Sequence, residues 1–146
     1  MNTDGNSLKV FHHVNLGGPR TLPEDEMVTA VIRNSDELSE SEFYKPFATQ
    51  VSAARETGDQ ADESTTVTVS NIGKAGMKIG IPAIVAPAVA TLAIGESFAH
   101  PVPDGDSFRF QTMVTATLSF DHRIANGVGA ANFMSEVKSH IESFEA

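Results

Sequence analysis

The stretch LSFDHRIANG, residues 118–127, sets Asp121, His122 and Arg123 side by side between two strongly patterned segments. Imidazole titrates near pH 6.5, so a histidine held there is mostly neutral at pH 7 and can accept a proton. A base is useful only where its position is fixed, and both flanks of this loop supply that. Upstream, FQTMVTATLSF alternates Val114, Ala116, Leu118 and Phe120 with Thr115, Thr117 and Ser119, which predicts a half-buried strand. Downstream, Ala130, Phe133, Met134, Val137, Ile141 and Phe144 form one stripe of a helix expected from about Val128 to Phe144. From spacing alone, a general base and a structural loop histidine both remain open.

Other chemistries find less support. His12 and His13 are neighbours and point to opposite faces of a strand, while His100 and His140 stand alone, so no metal site is expected. The chain has no cysteine, which excludes thiolate nucleophiles and disulfides and fits a cytoplasmic location. A Ser–His–Asp hydrolase would want a G-x-S-x-G elbow, and none occurs. A net charge of −9 offers nothing to neutralise a row of phosphates, so no nucleic-acid partner is expected. Eleven acids between Glu24 and Glu63 stand against Arg33, Lys45 and Arg55, either a solvated outer face or an acidic docking surface. The apolar run IPAIVAPAVATLAIG is interrupted by Pro82 and Pro87 and is too short to span a bilayer. The N-terminal MNTDGNSLKVFHH lacks the basic and apolar regions of a secretion signal, so no membrane association is expected.

At 146 residues, with 40% hydrophobic and 20% charged residues, the chain suits one globular domain spanning 1–146. SLKVFHHVNLG predicts a strand stopped by the turn signal Gly17-Gly18-Pro19, and EMVTAVIR a second strand. Ser39 and Glu42 form a capping box ahead of Phe43, Phe47, Val51 and Ala54, although Pro46 predicts an irregularity or a later start. TTVTVS predicts a strand running out at Ser70, followed by the glycine-punctuated connection NIGKAGMKIGIP. Further strands are expected near Ile84–Ala86 and Ala90–Ser97, and HPVPDGDS as a turn tightest at Asp104-Gly105.

The segment LSFDHRIANGVGAANFMSEVKSHIE resembles the C-terminal signature of the dihydrolipoamide acyltransferases of 2-oxo acid dehydrogenase complexes, D-H-R-x-x-[DN]-G followed by a helix rich in small residues. TVTVSNIGKAGMKIGIPAIVAPAVATLAIGE is similar to the preceding part of that family in order and spacing: a strand ending in serine, an S-N-x-G turn, a proline-containing apolar stretch and a strand ending in glycine. VFHHVNLGG and MVTAVIRNSDELS fit the part before that.

The resemblance implies an α/β fold of chloramphenicol acetyltransferase type, a two-layer sandwich with a mixed sheet and helices on one face, assembled as homotrimers or larger cores. It implies acyl transfer between a dihydrolipoamide-type thiol and coenzyme A, with the lipoyl group carried on another domain or chain and no metal. His122 falls on the general base, Ser70 on the hydroxyl that meets the oxyanion, and Asn126, expected to be catalytic with them, on a motif position more often aspartate. In such trimers the histidine of one subunit faces the serine of its neighbour. Asp121, Arg123 and Gly127 are expected to brace the loop.

The family's catalytic domain usually begins well upstream of the segment matched here, so the domain is expected to be shortened. Lipoyl and peripheral-subunit-binding domains are not expected in it, and the missing N-terminal half could come from another chain. Absence of a covering layer would expose apolar sheet at about 25 cal/mol per Å² of lost burial, a surface that asks for a partner. Two functions follow: an acyltransferase, or a non-catalytic core subunit like the protein X of some pyruvate dehydrogenase complexes. The compartment expected is the cytoplasm, or the mitochondrial matrix in a eukaryote.

Overall fold

A computed structural model describes residues 7–23 and 26–144. The chain runs through β1 (Leu16–Thr21), β2 (Met27–Ile32), α1 (Glu40–Thr57), β3 (Val67–Asn71), β4 (Ala90–Ile94), β5 (Phe98–Asp104), β6 (Ser107–Met113), β7 (Ala116–Phe120) and α2 (Gly127–Glu142). Five strands form one mixed sheet in the order β2-β1-β3-β4-β7. Its centre, β1, β3 and β4, is parallel, and β2 and β7 flank it antiparallel. β5 and β6 form a separate hairpin.

Register assigns the faces. Val28 and Ala30 of β2 pack with Val51 and Ala54 of α1, while Ala116 of β7 shares a cleft with Met134 and Val137 of α2. Following the paired residues across the sheet puts both helices on one side, the two-layer α/β arrangement expected. The other face is unusual in its chemistry. Thr29, Thr65, Thr68 and Thr91 are the largest fully buried side chains, and the Thr68 and Thr91 hydroxyls bond at 2.8 Å. Their methyl groups close over Gly17, where an added Cβ would lie 2.8, 2.9 and 3.0 Å from the Cγ2 atoms of Thr68, Thr29 and Thr65.

That packing corrects the first strand. β1 starts at Leu16 and runs through Gly17, Gly18 and Pro19 rather than stopping there. Gly17 serves close approach, not a turn. Pro19 lies opposite Thr29, whose own N–H points away from β1 to the Asp59 carboxylate at 2.9 Å. The missing proline N–H therefore falls on the β3 side, where pairing has already ended at Gly17–Thr68.

Edge strand β2 is clipped from outside. Asp59 Oδ1 accepts from Thr29 N, Gln60 Oε1 accepts from Val31 N at 3.0 Å, and Gln60 N donates to Thr29 O at 3.0 Å.

The capping box at α1 is formed as expected, with Glu42 accepting from Ser39 N at 3.0 Å. The helix starts at Glu40 and continues through Pro46 without interruption. Only the Glu42 carbonyl loses its helical donor, and it belongs to an exposed residue, where solvent can take the donor's place. No strand forms at Ile84–Ala86, and β4 ends at Ile94. Residues 77–88 instead cross the helix-free face as a strap, the Thr117 hydroxyl donating to Gly80 O and the Ser119 hydroxyl to Pro82 O at 2.6 Å. The Thr117 and Ser119 hydroxyls on that face of β7 are thus bonded to the strap. The expected single strand of residues 110–120 breaks at Val114–Thr115 into β6 and β7, and the expected turn HPVPDGDS is most of a hairpin whose turn lies at Gly105-Asp106.

Candidate active site

Ser70 is the penultimate residue of β3, half-buried, level with Ala93 and through it with Thr117. Because β1 leaves β3 after Gly17–Thr68, the β1 side of β3 is open from Val69 onward, and Ser70 stands at that opening. The chain beyond it is held tightly. Ile72 N donates to Ile94 O at 3.0 Å, and the Asn71 side chain accepts from Lys74 N at 3.2 Å. The Lys78 carbonyl presses on Gly95 so closely that a Cβ there would lie 2.1 Å from its oxygen.

The loop between β7 and α2 is anchored at each step. Asp121 N donates to Val89 O at 2.8 Å, extending the β4–β7 ladder by one rung. Ile124 N and Ala125 N both donate to Asp121 O, at 2.9 and 3.2 Å, closing the turn. Arg123 wraps the Asp121 carboxylate, Nε to Oδ1 at 2.9 Å and Nη2 to Oδ2 at 2.6 Å, while its backbone N–H also donates to Oδ1. The hydrogen bonds from Arg123 hold the Asp121 carboxyl down to about 2. Asn126 is the N-cap of α2, its side-chain oxygen accepting from Gly129 N at 2.8 Å. A Cβ on Gly127 would meet open space.

His122 sits at the apex of this brace, exposed, its ring 5.6 Å from that of Phe120 and tilted 33° to it. Among the described residues, the Phe120 ring is what packs against the imidazole. Sequence reading placed Phe120 only in the apolar row of β7. The signal available was its i−2 spacing from the histidine, which puts both on one side of an extended chain.

Ser70 and His122 do not meet within one copy. Ser70 is level with Thr117, and the strand runs about 10 Å further to Phe120 before the histidine loop begins, with β4 lying between. The loop residues Asp121, His122, Arg123 and Asn126 are together at one end of the sheet, and the serine is at the other.

The family described as 2-oxoacid dehydrogenases acyltransferase (catalytic domain) matches residues 1–146. The chain belongs to this acyltransferase family. Curated relatives include the dihydrolipoyllysine-residue acetyltransferase component of the acetoin cleaving system of Bacillus subtilis, 32% identical over 89% of this chain. The corresponding component of the Azotobacter vinelandii pyruvate dehydrogenase complex is 33% identical over 88%. Among solved structures, the cubic core of a pyruvate dehydrogenase multienzyme complex superposes with a TM-score of 0.84 at 30% identity over 97% of this chain. A structure of Azotobacter vinelandii dihydrolipoamide acetyltransferase, from work on the role of a serine, a histidine and an asparagine in its catalytic mechanism, gives 0.84 at 29% identity over the same share. This acyltransferase-family chain spans 33% and 20% of those two curated relatives and 59% of each of those solved chains. No group of three or more histidine, aspartate or glutamate side chains among its described residues is placed to hold a metal, and none of its described helices is long and apolar enough to cross a membrane.

Proposed function

We propose that the chain catalyses acyl transfer between a dihydrolipoamide-type thiol and coenzyme A, at a site completed by two copies. The observation that carries this reading is the split geometry: a braced, exposed imidazole at one end of the sheet and a strand-end hydroxyl at the other. The spacing supports it. In the Azotobacter protein the histidine follows the serine by 52 positions and the asparagine follows by 4 more, the intervals separating Ser70, His122 and Asn126 here.

In this mechanism His122 takes the proton of the attacking thiol as its sulfur adds to the thioester carbonyl carbon. A thiol is mostly protonated at neutral pH, so such a base contributes about 10²–10⁴-fold. The Ser70 hydroxyl of an adjacent copy donates to the oxyanion, worth about 2.7–4 kcal/mol at comparable sites. The intermediate then expels the second sulfur, which recovers the proton from the imidazolium. Both partners are thiols and meet directly, so no acyl-enzyme and no cysteine are required. Asn126 caps α2 and, with its side-chain oxygen committed, keeps its NH₂ group to steady the loop or bound substrate. Asp121 and Arg123 are the brace, and Gly127 leaves the start of α2 clear. The assembly is a homotrimer or a larger core built from trimers. The lipoyl arm arrives on another domain or chain, and a reducing compartment such as the cytoplasm or the mitochondrial matrix keeps its thiols available.

The test is turnover of acetyl-coenzyme A with dihydrolipoamide, followed as free coenzyme A by chromatography because neither thiol nor thioester count changes. Wild type should turn over and His122→Ala should lose about 10²–10⁴-fold. Absence of wild-type turnover at every protein concentration would refute the enzyme and leave the organising core subunit.

A further inference from the structure

The hydrogen bonds that brace the loop after β7 fix its backbone and the Asp121–Arg123 pair, and none of them reaches the His122 ring. An exposed imidazole on a rigid backbone still turns about two side-chain bonds, and the first alone offers three staggered wells. A base spread over those wells faces its thiol only part of the time.

Phe120 limits that freedom. Its ring centroid lies 5.6 Å from that of His122 with the planes 33° apart, within the spacing of offset aromatic pairs. Phe120 is itself well seated. It is half-buried at the end of β7, opposite Ala90 of β4, and Leu118 and Ala116 continue its row into the sheet. The rung just past it, Asp121 N to Val89 O at 2.8 Å, closes the ladder. Orientation is thus passed from the sheet to a phenyl ring, and from that ring to the imidazole.

Packing has a chemical advantage over a hydrogen bond here. A polar partner holds an imidazole by one nitrogen and fixes which nitrogen carries the proton. A phenyl ring holds it by its plane and leaves both nitrogens to the reaction. The ring also tolerates the charge that follows, because an aromatic face attracts a nearby cation. The imidazole can gain its proton without losing its support.

We infer that Phe120 is a positioning residue, holding the His122 imidazole in the orientation in which it meets the attacking thiol. The inference deepens the proposed function and rests on it for the reaction, though not for the contact.

Two measurements on the full chain test it. Phe120→Leu, which keeps apolar bulk without a flat ring, should melt as wild type yet lower kcat about three- to tenfold with KM changed less than about twofold. Phe120→Tyr, which restores the ring, should restore kcat. The chain has no tryptophan, so Phe120→Trp installs a single fluorophore beside the histidine. Its emission should dim as His122 becomes charged between about pH 8 and 5, and should stay level when His122→Ala is added. Wild-type kcat in Phe120→Leu, or emission indifferent to His122 in a chain that turns over, would overturn the role and leave the acyl-transfer reading standing. Dimming that depends on His122 in a chain whose wild type never turns over would instead refute the reaction, and the role with it, while leaving the contact.

Discussion

Chains carrying His122→Ala and chains carrying Ser70→Ala should rescue one another when assembled together. Each variant alone leaves every site short of a group, with expected losses of about 10²–10⁴-fold for the base and 10²–10³-fold for the oxyanion donor. In one copy the two side chains are separated by the strand length from Thr117 past Phe120 and by the width of β4, too far to act on one carbonyl. In a ring where each site takes its imidazole from one copy and its hydroxyl from the next, an equal random mixture leaves about one quarter of the sites intact. Co-expressed, differently tagged variants, purified through both tags in sequence to remove the unmixed rings, should therefore recover about a third of wild-type turnover as trimers, each mixed ring holding one intact site of three, more than tenfold above either parent. Doubly tagged assemblies no more active than the better parent would show that the histidine and serine of one copy work together, and the split site would be wrong.

Three further outcomes test the scaffold. Gly17→Ala should destabilise the fold by about 1–3 kcal/mol through overpacking against three threonine methyls, and Thr68→Ser, removing the nearest, should recover part of it in a denaturation cycle. Asn126→Ala should cost about 0.5–2 kcal/mol as a lost N-cap, while Asn126→Asp keeps the acceptor and most of the stability, both read from thermal melts. Arg123→Ala should let the Asp121 carboxyl rise from about 2 toward the ordinary value near 3.9, followed by NMR titration. Since its folded value is depressed, the brace is complete above about pH 4 in wild type and weakens as the pH falls toward 2.

The site's own loop was legible because its signals are local. A strand pattern on one side and a helical stripe on the other bracket the DHRIANG segment whatever surrounds it, while the capping of α2 by Asn126 emerges only in the structure. The capping box of α1 was readable for the same reason. Where distant chain decides, the reading failed. Gly17 and Pro19 look like punctuation until Thr29, Thr65 and Thr68 are folded over the one and the ladder is seen to end beside the other. Pro101 and Pro103 hid β5, because a two-stranded ribbon has outer edges where a missing N–H costs nothing. That Ser70 and His122 lie apart depends on strand order and register, which local pattern does not carry.

The clip that Asp59 and Gln60 place over β2 has a bearing on how many copies can join. Endless ribbons grow when identical molecules offer hydrogen-bonding margins on both flanks, each newcomer docking where the last one stopped. Here one flank is already occupied by the chain's own side chains. In the proposed assembly any strand borrowed from a sibling must be received elsewhere, which would steer it toward a finite, closed object instead of a filament.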